Sequence, residues 1–274
     1  MKMCFILEPT FPLGNSAVAD KNMKSDFKRV PALDKCFNIL RLMAREKKPL
    51  GITEISSELS LSKSTVFNII YTLADLGVLE YGDKKYRFGP KLYVLGKAAE
   101  AGSKIIQIIH PYLDEISQNT HLSAFLGMRS GDRVVIVDKA ESPYDFNISS
   151  QIGISHPLLI GAHGKAILSL QTDDKIDEFL SRHELERFTR ITCVDKTRYR
   201  EQVRKVRKTG IVVDKGEYFE GLRALAVPLK LVGSYLQMAI WTVGLKSQIN
   251  DKAIPSYSRL LKEIAKKIEI QFSV

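Results

Sequence analysis

The residues best suited to chemistry stand close together near the end of the first quarter of the chain. Ser62, Lys63 and Ser64 place two hydroxyls and one cation in consecutive positions, and Asn68 follows four residues after Ser64. If Ser62 begins a helix, the free backbone N–H groups, the hydroxyls and the Lys63 ammonium can all face one phosphate. The Asn68 amide, one turn further on, can pair with an adenine edge in a major groove. These residue types therefore predict contacts with a DNA backbone and with its bases.

Two helices joined by a tight turn would position these side chains. Ile52, Ile55 and Leu59 are spaced for the buried face of a short first helix. After a break at Ser60 to Ser62, a second helix carries an apolar stripe with the i, i+3, i+4, i+7 spacing, made of Val66, Ile69, Ile70, Leu73 and Leu76. Its opposite, solvent-facing side would carry Ser64, Asn68, Tyr71 and Asp75. An ordinary helical hairpin with a polar surface fits the same pattern, but a cation such as Lys63 in the first turn opposes the helix dipole.

A β-hairpin is predicted directly after these helices. Residues 78–81 and 85–88 have strand-like patterns on either side of Gly82, Asp83 and Lys84. With a preceding helix from Pro31 to Ala44, the element order is that of a winged helix-turn-helix. The basic tip of the hairpin would contact the DNA backbone beside the groove. The predicted DNA-contacting residues are Thr53, Ser62, Lys63, Ser64, Thr65, Phe67, Asn68, Tyr71, Lys84, Lys85 and Arg87.

Several segments together resemble the IclR family of prokaryotic transcription regulators. They are Ala32-Leu33-Asp34, LSKSTVFNII, LADLGVLE and YRFGPKL, followed much later by PLLIGAHGKAIL and GIVVDKGEYFEGLRALAVPL. The resemblance covers about residues 29–270, in the family's order. It implies a winged helix-turn-helix, a GAF-like domain that binds a small organic acid, and operator binding as a homodimer or homotetramer.

The charge distribution favours a nucleic-acid partner for the first third of the chain. The 274 residues carry a net charge of +10, and 13 basic and 8 acidic residues lie between Lys24 and Lys91. From Leu92 onward, 26 basic and 21 acidic residues give the same surplus of five positive charges over a much longer stretch. A membrane partner is not expected, because no helical segment combines a basic face with exposed Trp or Phe. Three distant cysteines and no run of membrane-spanning length predict a cytoplasmic protein.

The predicted fold class is α+β, in four parts. Residues 1–26 contain no periodic segment; they either lack regular structure or precede a true start at Met23. Residues 27–90 form the winged helix-turn-helix, and residues 91–102 form a linker helix that could join a dimer contact. Residues 103–274 form the effector-binding domain, where strands arranged in hairpins and flanked by helices predict a mixed sheet.

The resemblance, carried over position by position, implies an effector pocket in the second domain. Its residues would be Ala162, His163, Gly164, Asp214, Leu222, Ala224, Trp241 and Val243. Free N–H groups at a helix start near Gly164 suit a carboxylate. Many relatives have cysteine at position 224 and small hydroxylic residues at 241 and 243, so this pocket is expected to be more apolar and to favour an aromatic or medium-sized apolar acid. An ionised Asp214 would repel that acid unless it meets a hydroxyl or an amine.

Two other functions stay open at this stage. A small-molecule enzyme with an accessory DNA-binding domain could use Asp214, Glu217 and Glu220 as acid and base groups with His163 as a partner. However, the sequence contains no nucleophile elbow, phosphate loop or HExxH pattern, and neither a metal site nor a cofactor is expected from its histidine and cysteine spacing. The other possibility is an architectural DNA-binding protein without a ligand, for which sequence preference would be weak.

Overall fold

The computed structural model describes residues 3–6, 30–101, 104–144, 146–232 and 235–272. The described residues fall into two compact units that divide between Lys104 and Ile105. A first strand, β1 (Met3–Ile6), belongs to the second unit. This strand lies in the stretch of residues 1–26 where the sequence shows no periodic segment, and positions 1–2 and 7–26 lie outside the described residues.

The described residues of the first unit form four helices and a hairpin. The helices are α1 (Pro31–Glu46), α2 (Ile52–Leu59) and α3 (Lys63–Asp75), followed by β2 (Leu79–Gly82), β3 (Lys85–Phe88) and α4 (Pro90–Ala101). Pro31 begins α1, where its missing N–H has no helical partner to lose. The buried core is formed by Ile39, Leu42, Met43, Leu50, Ile55, Val66, Ile70, Leu73, Leu79 and Tyr86. Leu76, predicted to continue the stripe of α3, is instead 59 % exposed, because α3 ends at Asp75.

The second unit is built around a six-stranded sheet with the order β7-β5-β4-β10-β9-β8. The strands are β4 (Ser123–Ser130), β5 (Arg133–Ala140), β6 (Phe146–Ser149), β7 (Ser155–Pro157), β8 (Val212–Asp214), β9 (Leu222–Leu229) and β10 (Met238–Leu245). The helices are α5 (Lys104–Thr120), α6 (Gly161–Leu168), α7 (Asp173–Arg182), α8 (Lys196–Thr209) and α9 (Ile254–Gln271). Helices α5 and α9 cover one face of the sheet, and α6, α7 and α8 cover the other, so two separate cores flank the strands.

Strand pairing corrects one expectation about this sheet. All five neighbouring pairs in the six-stranded sheet are antiparallel, so the mixed pairing predicted from the sequence is wrong for these strands. The parallel pairing among the described strands joins β1 to β6 in a separate two-stranded sheet. The α+β class itself is confirmed. Each described helix is too short or too polar to cross a lipid bilayer.

Candidate functional site

The start of α3 gathers hydroxyls around free backbone N–H groups. Ser62 Oγ accepts a hydrogen bond from Thr65 N at 3.2 Å, which makes Ser62 the N-cap that the sequence predicted. Its hydroxyl also lies 3.1 Å from Ser64 Oγ and 2.8 Å from Thr65 Oγ1. Lys63 is exposed beside them, and the first turn carries no acidic residue. This end of the helix is therefore positive and open to a phosphate.

The outer face of α3 is exposed as its periodicity predicts. Ser64, Phe67, Asn68 and Tyr71 are all solvent-accessible, and the Phe67 and Tyr71 rings stack with centroids 4.2 Å apart. The Asn68 side-chain amide makes no hydrogen bond with any described residue; its backbone carbonyl accepts one from Thr72 Oγ1 at 2.8 Å. Thr53 is exposed near the start of α2, and Thr65 is half-buried. The helix thus presents one free amide beside two aromatic rings.

The three basic residues of the wing differ in what they contact. Lys85 Nζ lies 2.9 Å from Glu54 Oε1, and Arg87 Nη2 lies 3.1 Å from Glu80 Oε2. Lys84 has no ion-pair partner among the described residues and sits at the turn with a φ of 61°. Of these three side chains, only Lys84 has no carboxylate partner among the described residues, since Lys85 and Arg87 both face carboxylates within the unit. DNA contact by all three stays a prediction.

A pocket opens on the α6 side of the central sheet, with a space of about 570 Å³ that includes its open mouth. Seven of the eight predicted effector residues line it: Ala162, His163, Asp214, Leu222, Ala224, Trp241 and Val243. Gly164 does not, because a Cβ at this position would lie 1.9 Å from the Leu158 carbonyl oxygen. Gly164 permits close packing of α6 on the preceding loop, and the free N–H groups at the helix start belong to Gly161, Ala162 and His163.

One wall of the pocket is apolar and is built on the Trp241 indole. Trp241 is 5 % exposed and stacks on Phe125, with ring centroids 5.5 Å apart. Gly127 on β4 makes room for it, because a Cβ there would lie 2.5 Å from Trp241 Cζ3. Leu222, Ala224 and Val243 extend the wall along β9 and β10. Trp241 is thus both a core residue and a lining residue.

A polar part of the pocket lining adjoins Trp241 and contains two buried histidines. The His156 and His163 rings lie 5.3 Å apart, and the His163 ring lies 5.1 Å from Trp241. Burial lowers the pKa of His163 well below its usual value, and the neighbouring His156 lowers it further. Burial, with a smaller contribution from Arg133, lowers the pKa of His156 to about 4. Both imidazoles are therefore neutral at physiological pH.

Asp214 holds the loop that follows β8. Its Oδ1 accepts hydrogen bonds from Gly216 N at 2.8 Å and Glu217 N at 2.6 Å. Burial raises the pKa of this carboxyl, while these hydrogen bonds oppose the shift. Glu217 Oε1 forms an ion pair with Lys165 Nζ at 2.6 Å, and this ion pair connects the same loop to α6. Arg223 borders the pocket as well, but its Nη1 donates to the carbonyl oxygen of Ile249, a residue of the core on the α5 and α9 face of the sheet.

Two family models match the chain. Residues 32–83 match the IclR helix-turn-helix domain, and residues 98–270 match the C-terminal domain of bacterial IclR transcriptional regulators. The second match alone covers more than half of the chain. The chain belongs to the IclR family. The predicted function of a DNA-binding transcription regulator with an effector-binding C-terminal domain is thereby confirmed.

Similarity to individual IclR-family proteins extends over most of the chain. The chain is 34 % identical to the HTH-type transcriptional regulator KdgR of Dickeya chrysanthemi, over 78 % of this chain and 70 % of that protein. It is 30 % identical to KdgR of Escherichia coli K12, over 93 % of this chain and 97 % of that protein. The crystal structure of an IclR regulator from Alicyclobacillus acidocaldarius matches with a TM-score of 0.77 at 25 % identity, over 89 % of this chain and 99 % of that chain.

A second solved structure shares the fold and contains a ligand. An IclR homologue from Microbacterium hydrocarbonoxydans, crystallised with 4-hydroxybenzoate, has a TM-score of 0.76 at 20 % identity. The match extends over 88 % of this chain and 98 % of the homologue's chain. At this identity the comparison establishes a shared fold.

Sequence reasoning named seven of the sixteen residues that line the pocket and missed the other nine. The lining residues it did not name are Phe125, Ile136, Ser149, Ser150, His156, Gly161, Tyr218, Phe219 and Arg223. Tyr218 and Phe219 lie between Asp214 and Leu222 in a quoted segment, so the interval itself could have indicated them. Ser150 and His156 lie at short strands that carry no motif. Within the described ranges, no group of three or more His, Cys, Asp or Glu side chains is arranged to hold a metal ion.

Proposed function

We propose that this IclR-family regulator binds operator DNA as a homodimer or homotetramer and changes its DNA affinity when a small carboxylic acid enters the pocket beneath α6. The observation that carries the proposal is the start of that helix. N–H groups of Gly161, Ala162 and His163 border the pocket, and the Nε2 atom of His163, a residue only 6 % exposed, has no hydrogen-bond partner in the part of the chain that the structure describes. A carboxylate there would accept from these donors and meet the positive end of the helix.

The DNA contacts would come from α3 and the wing. Asn68 would contact a base edge, while Ser62, Lys63 and Lys84 would contact phosphates and fix the position of α3 in the groove. Two copies of the unit would then occupy two half-sites about one helical turn apart. Exposed apolar side chains on α4 support self-association, since Tyr93, Val94 and Leu95 are 69 %, 57 % and 54 % exposed.

Regulation would follow from linkage between the two sites. A ligand that binds one arrangement of the paired DNA-binding units more tightly shifts the protein toward that arrangement, and the bound DNA must alter ligand affinity by the same factor. The bound acid acts here as an effector rather than as a substrate. The acid–base candidates support this, because Asp214 Oδ1 accepts from two backbone N–H groups and Glu217 pairs with Lys165. The regulator would act in the cytoplasm, where its operator DNA is located.

The proposal is tested by measuring DNA binding with and without acids. Selection from random duplexes would first yield an operator, and native mass spectrometry of the purified chain would report its oligomeric state and any retained molecule. Fluorescence anisotropy should then show an operator affinity that changes about 5- to 150-fold when the correct acid is added. Binding of acids with an unchanged operator affinity would contradict the proposal, and so would turnover of a bound acid.

A further inference from the structure

Among the described residues, five that line the pocket have a buried side-chain polar atom without a hydrogen-bond partner. One of these atoms is Arg223 Nε, but the guanidinium is held away from the pocket by the Ile249 carbonyl oxygen and Asp251. The other four are Ser150 Oγ, His156 Nδ1, His163 Nε2 and Tyr218 Oη, and we call them the polar arc. Ser150, His156 and His163 are 5 %, 5 % and 6 % exposed, and each of the four atoms is closed off from solvent. Leaving such buried groups unpaired costs folding free energy, and folded proteins contain few of them. Their convergence on one pocket therefore points to a missing partner.

The polar arc is assembled from separate segments of the chain. Ser150 follows β6, His156 lies on β7, His163 lies on α6, and Tyr218 lies in the loop after β8. The His156 ring is 5.3 Å from the His163 ring and 5.9 Å from the Tyr218 ring, so all three surround one side of the pocket. A ligand with oxygen atoms on successive carbons could reach several atoms of the polar arc at once.

The chemistry of the polar arc selects neutral hydroxyl groups. A neutral imidazole offers one donor and one acceptor, and the Ser150 and Tyr218 hydroxyls can each do both. Asp214 adds an acceptor, because only its Oδ1 is occupied by backbone N–H groups. A ligand hydroxyl, which both donates and accepts, matches every one of these groups. A second carboxylate would match the donors but be repelled by Asp214.

We propose that the effector is a hydroxylated carboxylic acid with hydroxyls on several neighbouring carbons, rather than a purely apolar or aromatic acid. The inference rests on the proposed function, in which this pocket senses a carboxylate. The carboxylate lies at the start of α6, the hydroxyls contact the polar arc and Asp214, and the carbon chain lies along Trp241 and Leu222. The apolar wall thus contacts only one side of the ligand, its carbon chain.

The test compares acids that differ only in their hydroxyls. Isothermal titration calorimetry on the full chain would use D-gluconate, D-galactonate and D-xylonate, with hexanoate and pentanoate as their deoxygenated counterparts. D-Glucitol supplies hydroxyls without a carboxylate, and benzoate supplies an aromatic acid. At least one hydroxylated acid should bind tenfold or more tightly than its counterpart, because a site built for hydroxyls strongly rejects analogues that lack them.

The outcomes separate the inference from the function on which it rests. If hexanoate or benzoate binds as tightly as the sugar acids, or if none of the sugar acids binds, the inference is wrong. Tight binding of hexanoate or benzoate would still agree with the proposed function, in which the effector is a carboxylic acid. If D-glucitol binds as tightly as D-gluconate, or if no bound acid changes operator affinity, the proposed function fails instead.

A pair of tyrosine variants tests the polar arc directly. Tyr218→Phe removes one unpaired hydroxyl, so it should weaken the best sugar acid about 3- to 30-fold, leave hexanoate unchanged and not lower the melting temperature of the free protein. Tyr257→Phe is the matched control on the other side of the sheet, where the hydroxyl donates to the Thr120 carbonyl oxygen at 3.3 Å. It should lower the melting temperature and leave sugar-acid binding unchanged. Equal sugar-acid affinity in Tyr218→Phe and wild type would contradict the inference.

Discussion

Lys85 Nζ lies 2.9 Å from Glu54 Oε1, so an ion pair joins the wing to α2. The other carboxylate oxygen, Glu54 Oε2, accepts a hydrogen bond from Gly51 N at 2.6 Å, so one side chain both caps α2 and holds the wing. The bond from Gly51 and the Lys85 partner lower the pKa of Glu54. Lys85 thus holds the wing against α2, Arg87 pairs with Glu80 within the hairpin, and Lys84 has no carboxylate partner among the described residues.

Glu54→Gln should strengthen DNA binding without sequence preference. The amide keeps the acceptor for Gly51 N but frees the Lys85 charge to neutralise a phosphate. The slope of log K against log salt should become steeper by up to about one, measured by anisotropy between 50 and 200 mM salt. The melting temperature should change little, because the Lys85 and Glu54 side chains are 43 % and 44 % exposed. An unchanged slope would show that Lys85 does not reach DNA even when released.

Asn68→Ala should lower specificity. Loss of a base contact from the exposed face of α3 is expected to cost about 1–3 kcal/mol on the operator and little on unrelated DNA. Competition anisotropy with both duplexes gives the two affinities. Equal weakening on operator and unrelated DNA would show that Asn68 contacts the backbone or that α3 is placed differently in the groove.

Lys84→Asn should weaken binding to all sequences alike. Asparagine tolerates the left-handed backbone of this turn, where φ is 61°, so the change removes charge with little strain. The salt slope should fall by about one because one phosphate contact is lost. Lys266→Gln, at an exposed position of α9, is the control and should leave the slope unchanged. A sequence-dependent loss in Lys84→Asn would contradict a backbone contact.

The sequence predicted the DNA-binding unit better than the pocket, because the two depend on different ranges of contact. The helices and wing follow from local periodicity, the Ser62 cap and a hairpin turn, all within about 60 residues. The polar arc depends on burial that arises only when segments around Ser150, His156, His163 and Tyr218 converge. Antiparallel pairing of distant strands such as β10 with β4 is likewise a long-range property, which explains the wrong prediction of a mixed sheet.

His156 should make stability depend on pH between about 6.5 and 4. Its pKa in the folded protein is about 4, whereas an unfolded histidine titrates near its ordinary value. The unfolded state therefore binds the proton first, so the stabilisation is complete above pH 6.5 and is lost as the pH falls toward 4. The total from this residue is about 3 kcal/mol, at about 1.4 kcal/mol for each pH unit between the two pKa values.

Urea unfolding of wild type and His156→Gln at pH 7.5, 6.5, 5.5 and 5.0 measures this dependence. The groups that face His156 are His163, Tyr218 and Arg133, and their contributions are shared by both proteins. Asp214 acts in the opposite direction at lower pH, because burial raises its pKa. The free energy of unfolding should fall less steeply with decreasing pH in His156→Gln. Identical slopes would show that His156 is not held neutral by burial.

Gly127→Ala should destabilise the second unit through Trp241. The added Cβ would lie 2.5 Å from Trp241 Cζ3 and 2.9 Å from Val134 Cγ1, so the indole must shift toward the pocket. Overpacking of this kind costs about 1–3 kcal/mol, and the displaced ring should also weaken effector binding. Gly96→Ala on α4 is the matched control. A Cβ there meets nothing within 4 Å, so stability should be unchanged or slightly higher.

A double-mutant cycle tests whether the Trp241 indole causes the destabilisation in Gly127→Ala. In Trp241→Leu the space beside Gly127 is empty, so adding Gly127→Ala to that variant should cost much less than adding it to wild type. Chemical unfolding of the four proteins gives a coupling energy whose expected sign is stabilising. If the two substitutions are simply additive, Trp241 does not lie against Gly127, and the apolar wall of the pocket must be built differently.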